Sequence, residues 1–303
     1  MRHRHHHHKH HSHRRRKFLN ALWISLSCAI VVLVAAGLYL LYRTPVNKVS
    51  ASAEVPLPTS LANGYIEEAT GKLAPASSNL VVFTGQPEWV QVHSKDKESK
   101  FTNLSTSQIS IVRANNPKVL KTAYSLQTQT FRMDKAISLY PDAAIMNASG
   151  FTGTIGAIGF QINNGKVFND WNSANESTFV INKDGTCAAY TAATSADTII
   201  KNGAAMSFSF GSILIQNGQV LPNDGTIGWE KHSFIANDKN NNIYLIVIKA
   251  NTGYDTLIST VSKYNLENMV AMDAGGSSML SLQGKVLSPS EDNRAVGDYI
   301  ILK

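Results

Sequence analysis

The sequence predicts an α+β fold, in which a mostly antiparallel sheet is accompanied by a few helices and preceded by one transmembrane helix. Three features predict this fold. Short apolar segments rich in β-type residues alternate with Asn-Gly and Asp-Gly turns. Two other segments carry apolar residues at helical spacing. Near the N-terminus, an uncharged apolar run is long enough to cross a bilayer.

The apolar run covers residues 18–42 and matches the roughly 20 residues that a membrane-spanning helix needs. A basic cluster at residues 14–17 precedes it, while only Arg43 follows closely. The positive-inside rule therefore predicts a single-pass cell-membrane protein with a cytoplasmic N-terminus and an extracellular C-terminal domain. A cleaved signal peptide is the alternative, because residues 51–53 have the small-residue spacing of a cleavage site, but that site lies far beyond the run.

Residues 1–17 form a basic, His-rich tail, which this topology places in the cytoplasm. A metal-binding tract and an expression tag are alternatives to a solvated cationic tail. The tail is the favoured interpretation, since cationic residues are attracted to anionic lipid headgroups.

The net charge of +7 is concentrated at the N-terminus. Eight of the 28 Lys and Arg residues lie within residues 1–43, which carry no acidic residue, so 20 basic and 21 acidic residues remain beyond them. A nucleic-acid surface needs a basic face, and the sequence therefore predicts no nucleic-acid partner. Of the two cysteines, Cys28 lies in the predicted span and Cys187 outside it, so no internal disulfide is expected.

Residues 43–78 are rich in Pro, Ala, Ser and Thr, which is typical of a stalk or linker, with one short helical turn predicted at 66–69. A folded domain is predicted over residues 79–303. Its first part contains a charged, exposed loop at 94–105 and a helix at 131–140 that Pro141 ends. The strands predicted in this part cover residues 80–83, 89–92, 109–112 and 143–146.

The second part of the domain is rich in hairpins, because four turn sequences each separate two strand-like segments. A helix at 255–264 then precedes a strand at 269–272. The predicted turns are at 163–165, 183–185, 217–218 and 238–242.

Residues 273–278, Asp-Ala-Gly-Gly-Ser-Ser, follow the strand at 269–272 and precede another apolar run. Glycines at such a turn allow a ligand to approach the backbone, and successive free N–H groups can bind an anion. A carboxylate beside an anion site suits chemistry on a phosphorylated or polyhydroxylated substrate. An ordinary Gly-rich hairpin turn, capped by Asp273, is the alternative interpretation.

From about residue 79 onward, the chain resembles the phosphodiester glycosidase domain family, which includes the lysosomal enzyme that removes N-acetylglucosamine to uncover mannose 6-phosphate. The resemblance is closest to the bacterial, exopolysaccharide-associated branch. Its landmarks occur in the family's order and are Asn-Ala-Ser-Gly-Phe at 147–151, the hairpin at 158–167, the Phe-Gly segment at 210–218, Asp-Ala-Gly-Gly-Ser-Ser at 273–278 and Arg-Ala-Val at 294–296.

The resemblance implies a hydrolase that cleaves the sugar–phosphate bond of glycosyl phosphodiesters in cell-envelope or extracellular glycopolymers. It implies catalytic roles for Asp273, Asn147 and His232, with Asn147 holding a sugar hydroxyl or orienting water. The residues expected to bind substrate or phosphate are Arg294, Gly275, Gly276, Ser277 and Ser149.

The chain also departs from the family pattern. His232 stands where the family commonly has arginine, Ala148-Ser149 replaces two glycines and Ala274 replaces another. These departures indicate a divergent branch and leave its sugar and aglycone open. Asp170 and Glu230 are additional carboxylates that could assist.

The predicted partners are a phosphorylated glycan or glycopolymer substrate and, through residues 18–42, a membrane. No cofactor is predicted, because the sequence contains no cluster with transition-metal spacing, although Asp and backbone oxygens leave a calcium-type ion open. The alternative function is a non-catalytic surface module that binds phosphorylated wall or capsule polysaccharide, since one fold can carry both functions.

Overall fold

A computed structural model describes residues 65–67, 81–83, 88–124, 130–152, 156–170 and 176–303. All of them lie in the second of two compact units, residues 58–303. Within these described residues, no helix is both long enough and apolar enough to cross a membrane. The predicted tail at 1–17 and the predicted span at 18–42 lie outside the described residues, as does most of the predicted stalk.

Two antiparallel sheets form the centre of the domain. From one edge to the other, the strands of the larger sheet are β16 (Gln219–Val220), β15 (Ile213–Gln216), β19 (Leu266–Met272), β17 (His232–Asp238), β18 (Ile243–Ile248), β5 (Ile109–Asn115) and β4 (Lys100–Asn103). Those of the second sheet are β21 (Lys285–Ser288), β20 (Leu280–Leu282), β7 (Ala144–Asn147), β22 (Tyr299–Leu302), β6 (Lys118–Lys121) and β3 (Val90–Gln91).

Smaller antiparallel sheets and three short helices complete the described part of the domain. The three-stranded sheet consists of β13 (Cys187–Tyr190), β12 (Ser177–Asn182) and β14 (Ala204–Phe210). The two-stranded sheets are β1 (Tyr65–Glu67) with β2 (Val81–Phe83), β8 (Phe151–Thr152) with β9 (Gly156–Ala157), and β10 (Gln161–Asn163) with β11 (Lys166–Asn169). The helices are α1 (Met133–Leu139), α2 (Ala196–Lys201) and α3 (Tyr254–Val261).

The main core lies between the two large sheets, and strand alternation explains how it forms. In β19, Val270 and Met272 belong to the core shared by both sheets, whereas Met269 and Ala271 belong to a second cluster with Leu257 of α3. Successive side chains of a strand point to opposite faces, so one strand supplies both layers. On the outer face of the second sheet, Met133 and Ala136 of helix α1 belong to a third apolar cluster.

The described residues confirm a mostly antiparallel α+β fold and all four predicted hairpin turns. Asn164-Gly165 and Asn217-Gly218 have positive φ at both residues, as a tight two-residue hairpin turn requires. Both predicted helices are present with shifted ends, because α1 begins two residues late and α3 ends at Val261 before a 3-10 turn.

Three local predictions need correction. The predicted loop at 94–105 contains β4, which forms an edge strand because β5 supplies its backbone partners. The helical turn predicted at 66–69 is wrong, since Ile66 pairs with Val82 in β1 and β2. Helix α2 was not predicted, although Ser195 caps it by accepting a hydrogen bond from the Thr198 N–H.

The turn at 273–278 is a crossover and not a hairpin. Strand β19 before it belongs to the larger sheet, while β20 after it belongs to the second sheet and pairs with β7. A short 3-10 helix, Gly275–Ser277, lies within the crossover. The ends of β7 and β19 therefore meet where the two sheets face each other.

Candidate functional site

The candidate site lies where β7 and β19 end and β17 begins. In the larger sheet, Ser233 is the direct partner of Met272, so His232 and Asp273 lie beside each other at one end of this sheet. The Asp273 N–H donates to the Ala148 carbonyl over 3.0 Å, which joins the crossover to the turn after β7. The fold thus brings together the two motifs at 147–151 and 273–278.

Asn147 holds this junction together from inside the protein. Its fully buried carboxamide donates from Nδ2 to the Asp273 carbonyl over 2.7 Å. Its Oδ1 accepts from the Ser233 hydroxyl at 2.7 Å and from the Met279 N–H at 3.0 Å. These hydrogen bonds give Asn147 a positioning role at the junction, and its contact with a sugar hydroxyl or water stays a prediction.

Ser149 belongs to a buried network of Lys121, Asp298, Ser149, Ser209 and Gln161. Lys121 and Asp298 form an ion pair whose side chains are fully buried. Lys121 also donates to the Ser149 hydroxyl, which in turn accepts from the Ser209 N–H at 3.1 Å. Burial lowers the pKa of Lys121, while Asp298 opposes the shift. Substrate binding by Ser149 stays a prediction, and its hydroxyl contacts are internal.

The crossover uses most of its backbone donors within the protein. The Gly275 N–H donates to the Lys231 carbonyl at 2.7 Å, and the Ser277 N–H donates to the Ala274 carbonyl at 3.4 Å. The Ala274 N–H donates to Oδ1 of Asp273 at 3.0 Å. The Gly275 and Ser277 N–H groups thus donate to carbonyls of the protein, and binding of substrate or phosphate by these residues stays a prediction.

Asp273 is a half-buried carboxylate with an altered acidity. Burial raises its pKa to about 6, although hydrogen bonds from Ser277 and the Ala274 N–H oppose the change. The positive charge of Arg294 also opposes the increase in pKa, whereas the negative charge of Glu230 adds to it. A carboxyl group that titrates near neutral pH can exchange protons with a substrate, so Asp273 is suited to acid–base chemistry.

Glu230 and His232 lie next to Asp273. The Nε2 atom of His232 is 3.9 Å from Oε1 of Glu230. It is buried without a hydrogen-bond partner, and burial lowers the pKa of this imidazole despite the opposing charge of Glu230. His232 is therefore neutral near pH 7 and has a ring nitrogen available for a ligand or water.

Gly276 and Arg294 form the outer side of the crossover. Arg294 donates from Nε to Oδ2 of Asp292 at 2.7 Å, and its Nη2 contacts the same oxygen. A Cβ atom at Gly276 would lie 2.6 Å from Nη2 of Arg294, so a larger residue here would displace the guanidinium. Arg294 is nearly half exposed, and a phosphate bound there would compete with Asp292 for the guanidinium.

A cleft of about 680 Å³ opens beside the crossover, and Glu230, His232 and Ala274 form part of its wall. Its volume lies within the range of small-molecule sites. Glu230 stands at the boundary between the cleft and the crossover, because a Cβ atom at Gly275 would lie 3.1 Å from its Oε2. The second carboxylate at the site is thus Glu230.

Asp170, the other additional carboxylate, does not line this cleft. It follows β11, and burial raises its pKa, with a smaller contribution from Asp197 of α2.

Sequence reasoning missed Ser233, the partner of Asn147, and Asp224, which lines the cleft. The position of Ser233 beside His232 in a strand was an available signal, but its partner is 86 residues away.

Among the described residues, no three His, Cys, Asp or Glu side chains are grouped so that they could hold a metal ion. A calcium-type ion on backbone and carboxylate oxygens stays a prediction.

The Cys187 thiol is free, and burial raises its pKa, which disfavours the thiolate that nucleophilic chemistry requires.

Comparison with known families decides the classification of this domain. The family model described as "NAGPA: Phosphodiester glycosidase" matches residues 142–303, which is just over half of the chain. The chain belongs to the phosphodiester glycosidase family. The matched segment contains the strands that end at the junction and both motifs at 147–151 and 273–278. No curated protein matches this chain in sequence.

One solved structure shares the overall fold of this domain, and two others are similar to a lesser degree. The catalytic domain of zebrafish N-acetylglucosamine-1-phosphodiester alpha-N-acetylglucosaminidase, described as autoinhibited by its pro-peptide, has a TM-score of 0.55 and 17% identity, with 72% of this chain and 88% of that chain covered. A hypothetical protein from Synechocystis has a TM-score of 0.48 and 13% identity, covering 71% and 61% of the two chains. A putative exported protein from Burkholderia pseudomallei has a TM-score of 0.42 and 9% identity, covering 66% and 75%.

Membership of this family implies a glycosidase-type hydrolase acting on phosphodiester-linked sugars, and hence a phosphorylated glycan as substrate. The cleft, the raised pKa of Asp273 and the adjacent Glu230 are compatible with that chemistry.

Proposed function

We propose that this protein is a membrane-anchored extracellular hydrolase that cleaves the sugar–phosphate bond of glycosyl phosphodiesters in cell-envelope or extracellular glycopolymers. The observation that carries the proposal is the position of Asp273. In a phosphodiester glycosidase domain, a carboxyl group with a pKa of about 6 lies at the crossover, beside a ligand-sized cleft whose wall includes a second carboxylate, Glu230.

In the proposed reaction, the bond between the anomeric carbon and the phosphate oxygen breaks. Water supplies the hydroxyl group of the released sugar, and the phosphomonoester keeps its oxygen. Two carboxyl groups commonly flank such an oxocarbenium-like transition state. We assign these roles to Asp273 and Glu230, one of which accepts the proton that the attacking water loses.

Other residues would support the reaction without exchanging its protons. Arg294 can neutralise charge on the leaving phosphate by a bidentate contact, because its guanidinium reaches the outer side of the crossover. The neutral His232 can donate to or accept from a sugar hydroxyl. Asn147 fixes the crossover through the Asp273 carbonyl and acts as a positioning residue.

The proposed location follows from the sequence of the N-terminal part. The uncharged run at residues 18–42 would anchor the protein in the cell membrane with a cytoplasmic N-terminus, and the folded domain would face outward. Its substrate would then be a phosphorylated polymer of the envelope or the extracellular space.

One observation favours the alternative function, a non-catalytic module that binds phosphorylated polysaccharide. Arg294 is already paired with Asp292, and the Gly275 and Ser277 N–H groups donate internally. Such a site has fewer free donors for a developing negative charge, and transition-state stabilisation by donors is a large part of catalysis.

The two functions are separated by incubating the full chain in detergent with diesters of N-acetylglucosamine 1-phosphate in ¹⁸O-labelled water. The full chain is preferred to a domain beginning at residue 79, because such a domain would lack β1, the partner of β2. The proposal predicts ¹⁸O in the released sugar and none in the phosphomonoester. Label in the phosphate would indicate phosphodiesterase chemistry, and polymer binding without any turnover would support the binding module.

A further inference from the structure

The charges along the cleft are unevenly distributed. Glu176, Asp224 and Glu230 line it, whereas no Lys or Arg is present among the described residues of its wall. The charge of Asp224 is fixed by hydrogen bonds from the Thr226 N–H at 3.0 Å and the Thr226 hydroxyl at 2.6 Å. A second anionic group on a ligand would therefore be repelled inside this cleft.

Two cationic side chains lie at the crossover and do not line the cleft, and each has an acidic neighbour, Asp292 for Arg294 and Glu291 for Lys231. Arg294 packs over Gly276, and the ammonium of Lys231 donates to the Pro289 carbonyl. Glu230 marks the boundary, because it lines the cleft and also lies against Gly275. The single negative charge of a phosphodiester fits the side of Arg294, while the group attached to it would extend into the acidic cleft.

A buried, unpartnered side chain provides independent evidence for a ligand in the cleft. His232 lines the cleft and is only 5% exposed, yet its Nε2 has no hydrogen-bond partner and faces Glu230 at 3.9 Å. Buried polar atoms are nearly always satisfied, so this nitrogen is expected to acquire a partner when the site is filled. Because the imidazole is neutral near pH 7, it does not offset the charges of Asp224 and Glu230.

The wall also contains apolar residues, among them Phe210, Ile213, Leu221 and Ile227, together with Ser and Thr side chains. A matching ligand combines an apolar face, such as that of a sugar ring, with a positive charge. Protonated amines meet this requirement, and their attraction to carboxylates is strongest where water is partly excluded.

We infer that the cleft selects glycosyl phosphodiesters that carry a protonated amine close to the phosphate, on either the sugar or the aglycone. This inference rests on the proposed function, since it names the substrate class of the same site. The substrate is then zwitterionic, with its phosphate toward Arg294 and its ammonium toward Asp224 and Glu230.

Two matched pairs of probes test the inference with the full chain in detergent. The sugar pair is a methyl phosphodiester of glucosamine 1-phosphate against the same diester of N-acetylglucosamine 1-phosphate. The aglycone pair is an ethanolamine phosphodiester of N-acetylglucosamine against the ethyl phosphodiester. The amine-bearing member of at least one pair should have kcat/KM at least about tenfold higher, and the pair that shows this difference identifies the source of the amine.

Asp224→Asn provides the test of the carboxylates, because the amide can still accept the hydrogen bonds from Thr226 while the charge is lost. The preference for the amine-bearing member of the pair should fall to about a third or less of its wild-type value. Asp142→Asn, which removes an exposed carboxylate outside the cleft, is the matched control and should keep the full preference. Equal kcat/KM within both pairs, or an unchanged preference in Asp224→Asn, would overturn the inference.

Calorimetric binding of the same four compounds separates this inference from the proposed function. If none is hydrolysed but the amine-bearing member of a pair still binds at least about tenfold more tightly, the hydrolase proposal fails and the selectivity for an amine stands. If the compounds are hydrolysed without any preference, the hydrolase proposal stands and the inference fails. Absence of both turnover and binding contradicts both.

Discussion

Two polar clusters lie on either side of the turn after β7, and they differ in how completely their groups are satisfied. The buried network contains a fully buried ion pair, Lys121 and Asp298, with hydrogen bonds to its neighbours. The cleft cluster consists of Asp273, Glu230 and His232. It contains a carboxyl group with a raised pKa and an imidazole nitrogen without a partner.

Ala148 connects the two clusters through its backbone. Its N–H donates to the Asp298 carbonyl, and its carbonyl accepts from the Asp273 N–H, both over 3.0 Å. The buried network, whose polar groups are hydrogen-bonded, can therefore hold the cleft cluster in place. Functional sites are where buried groups with altered pKa values are expected, whereas satisfied networks provide rigidity. On this account, the buried network holds the crossover in position, and the cleft cluster carries out the reaction.

The largest expected effect is on the buried network. Asp298→Ala leaves the Lys121 ammonium buried without a counter-charge and should lower the free energy of unfolding by about 3–5 kcal/mol. The matched control is Glu98→Ala, which removes an exposed partner of Lys100 and should cost less than about 1 kcal/mol. Urea denaturation of the full chain in detergent measures both. If Asp298→Ala and Glu98→Ala lowered the free energy of unfolding equally, the buried ion pair would be no more important for stability than an exposed one.

Asn147→Ala tests the connection between the clusters. It leaves the Met279 N–H and the Ser233 hydroxyl without their acceptor, so the free energy of unfolding should fall by about 2–4 kcal/mol. Asn103→Ala is the control, because Asn103 is exposed and accepts one hydrogen bond, from the Ser105 N–H. Similar stability of the two variants would mean that Asn147 does not hold the junction.

The pH dependence of stability tests the environment of Asp273. Its folded pKa of about 6 exceeds the ordinary value of 3.8, so the folded state binds the proton more tightly than the unfolded state. The stability that this group contributes is present below pH 4 and is lost as pH rises through 6. Asp273→Asn should therefore gain stability relative to wild type over that interval, by at most about 3 kcal/mol.

Melting temperatures of the two proteins between pH 4 and pH 8 measure this difference, and the other titrating groups cancel in the comparison. A constant difference across that range would show that Asp273 has an ordinary pKa.

Gly276→Ala is expected to have the smallest effect on stability. The added methyl group would lie 2.5 Å from Oδ2 of Asp292 and 2.6 Å from Nη2 of Arg294, but both side chains are nearly half exposed and can move aside. KM for a glycosyl phosphodiester should rise severalfold with little change in kcat, because the guanidinium is displaced. Gly253→Ala, where the methyl group meets nothing within 4 Å, is the control for the same two constants. An unchanged KM would argue against phosphate binding by Arg294.

Sequence reasoning predicted the features that depend on local chemistry. Asn-Gly pairs gave the hairpins at 164–165 and 217–218, because few other residues adopt positive φ at low cost. The order of the motifs also predicted the family. The structure adds that the turns at 147 and 273 are in contact, because the Asn147 carboxamide donates to the Asp273 carbonyl, although β7 and β19 lie in different sheets.

The features that depend on distant partners were not predictable from one sequence. Strand β4 exists because β5 pairs with it, and its charged residues alone resemble a loop. The crossover at 273–278 resembles a hairpin turn until the partners of β19 and β20 are known. The acceptor of the Gly275 N–H, the Lys231 carbonyl, directly precedes β17 and lies 44 residues earlier in the chain, so the local sequence does not show that this N–H is occupied.

The central claim is that the Asp273 carboxyl group takes part in bond cleavage, and turnover by Asp273→Asn tests it most directly. Asparagine keeps the size of the side chain and an oxygen that can accept from the Ala274 N–H, but it cannot exchange the proton. With a glycosyl phosphodiester that wild type hydrolyses, kcat should fall by about 10²–10⁴-fold while calorimetric binding of the substrate is retained. Asp142→Asn should keep wild-type kcat. Turnover by Asp273→Asn within about twofold of wild type would contradict the account and leave Asp273 as a turn-capping residue.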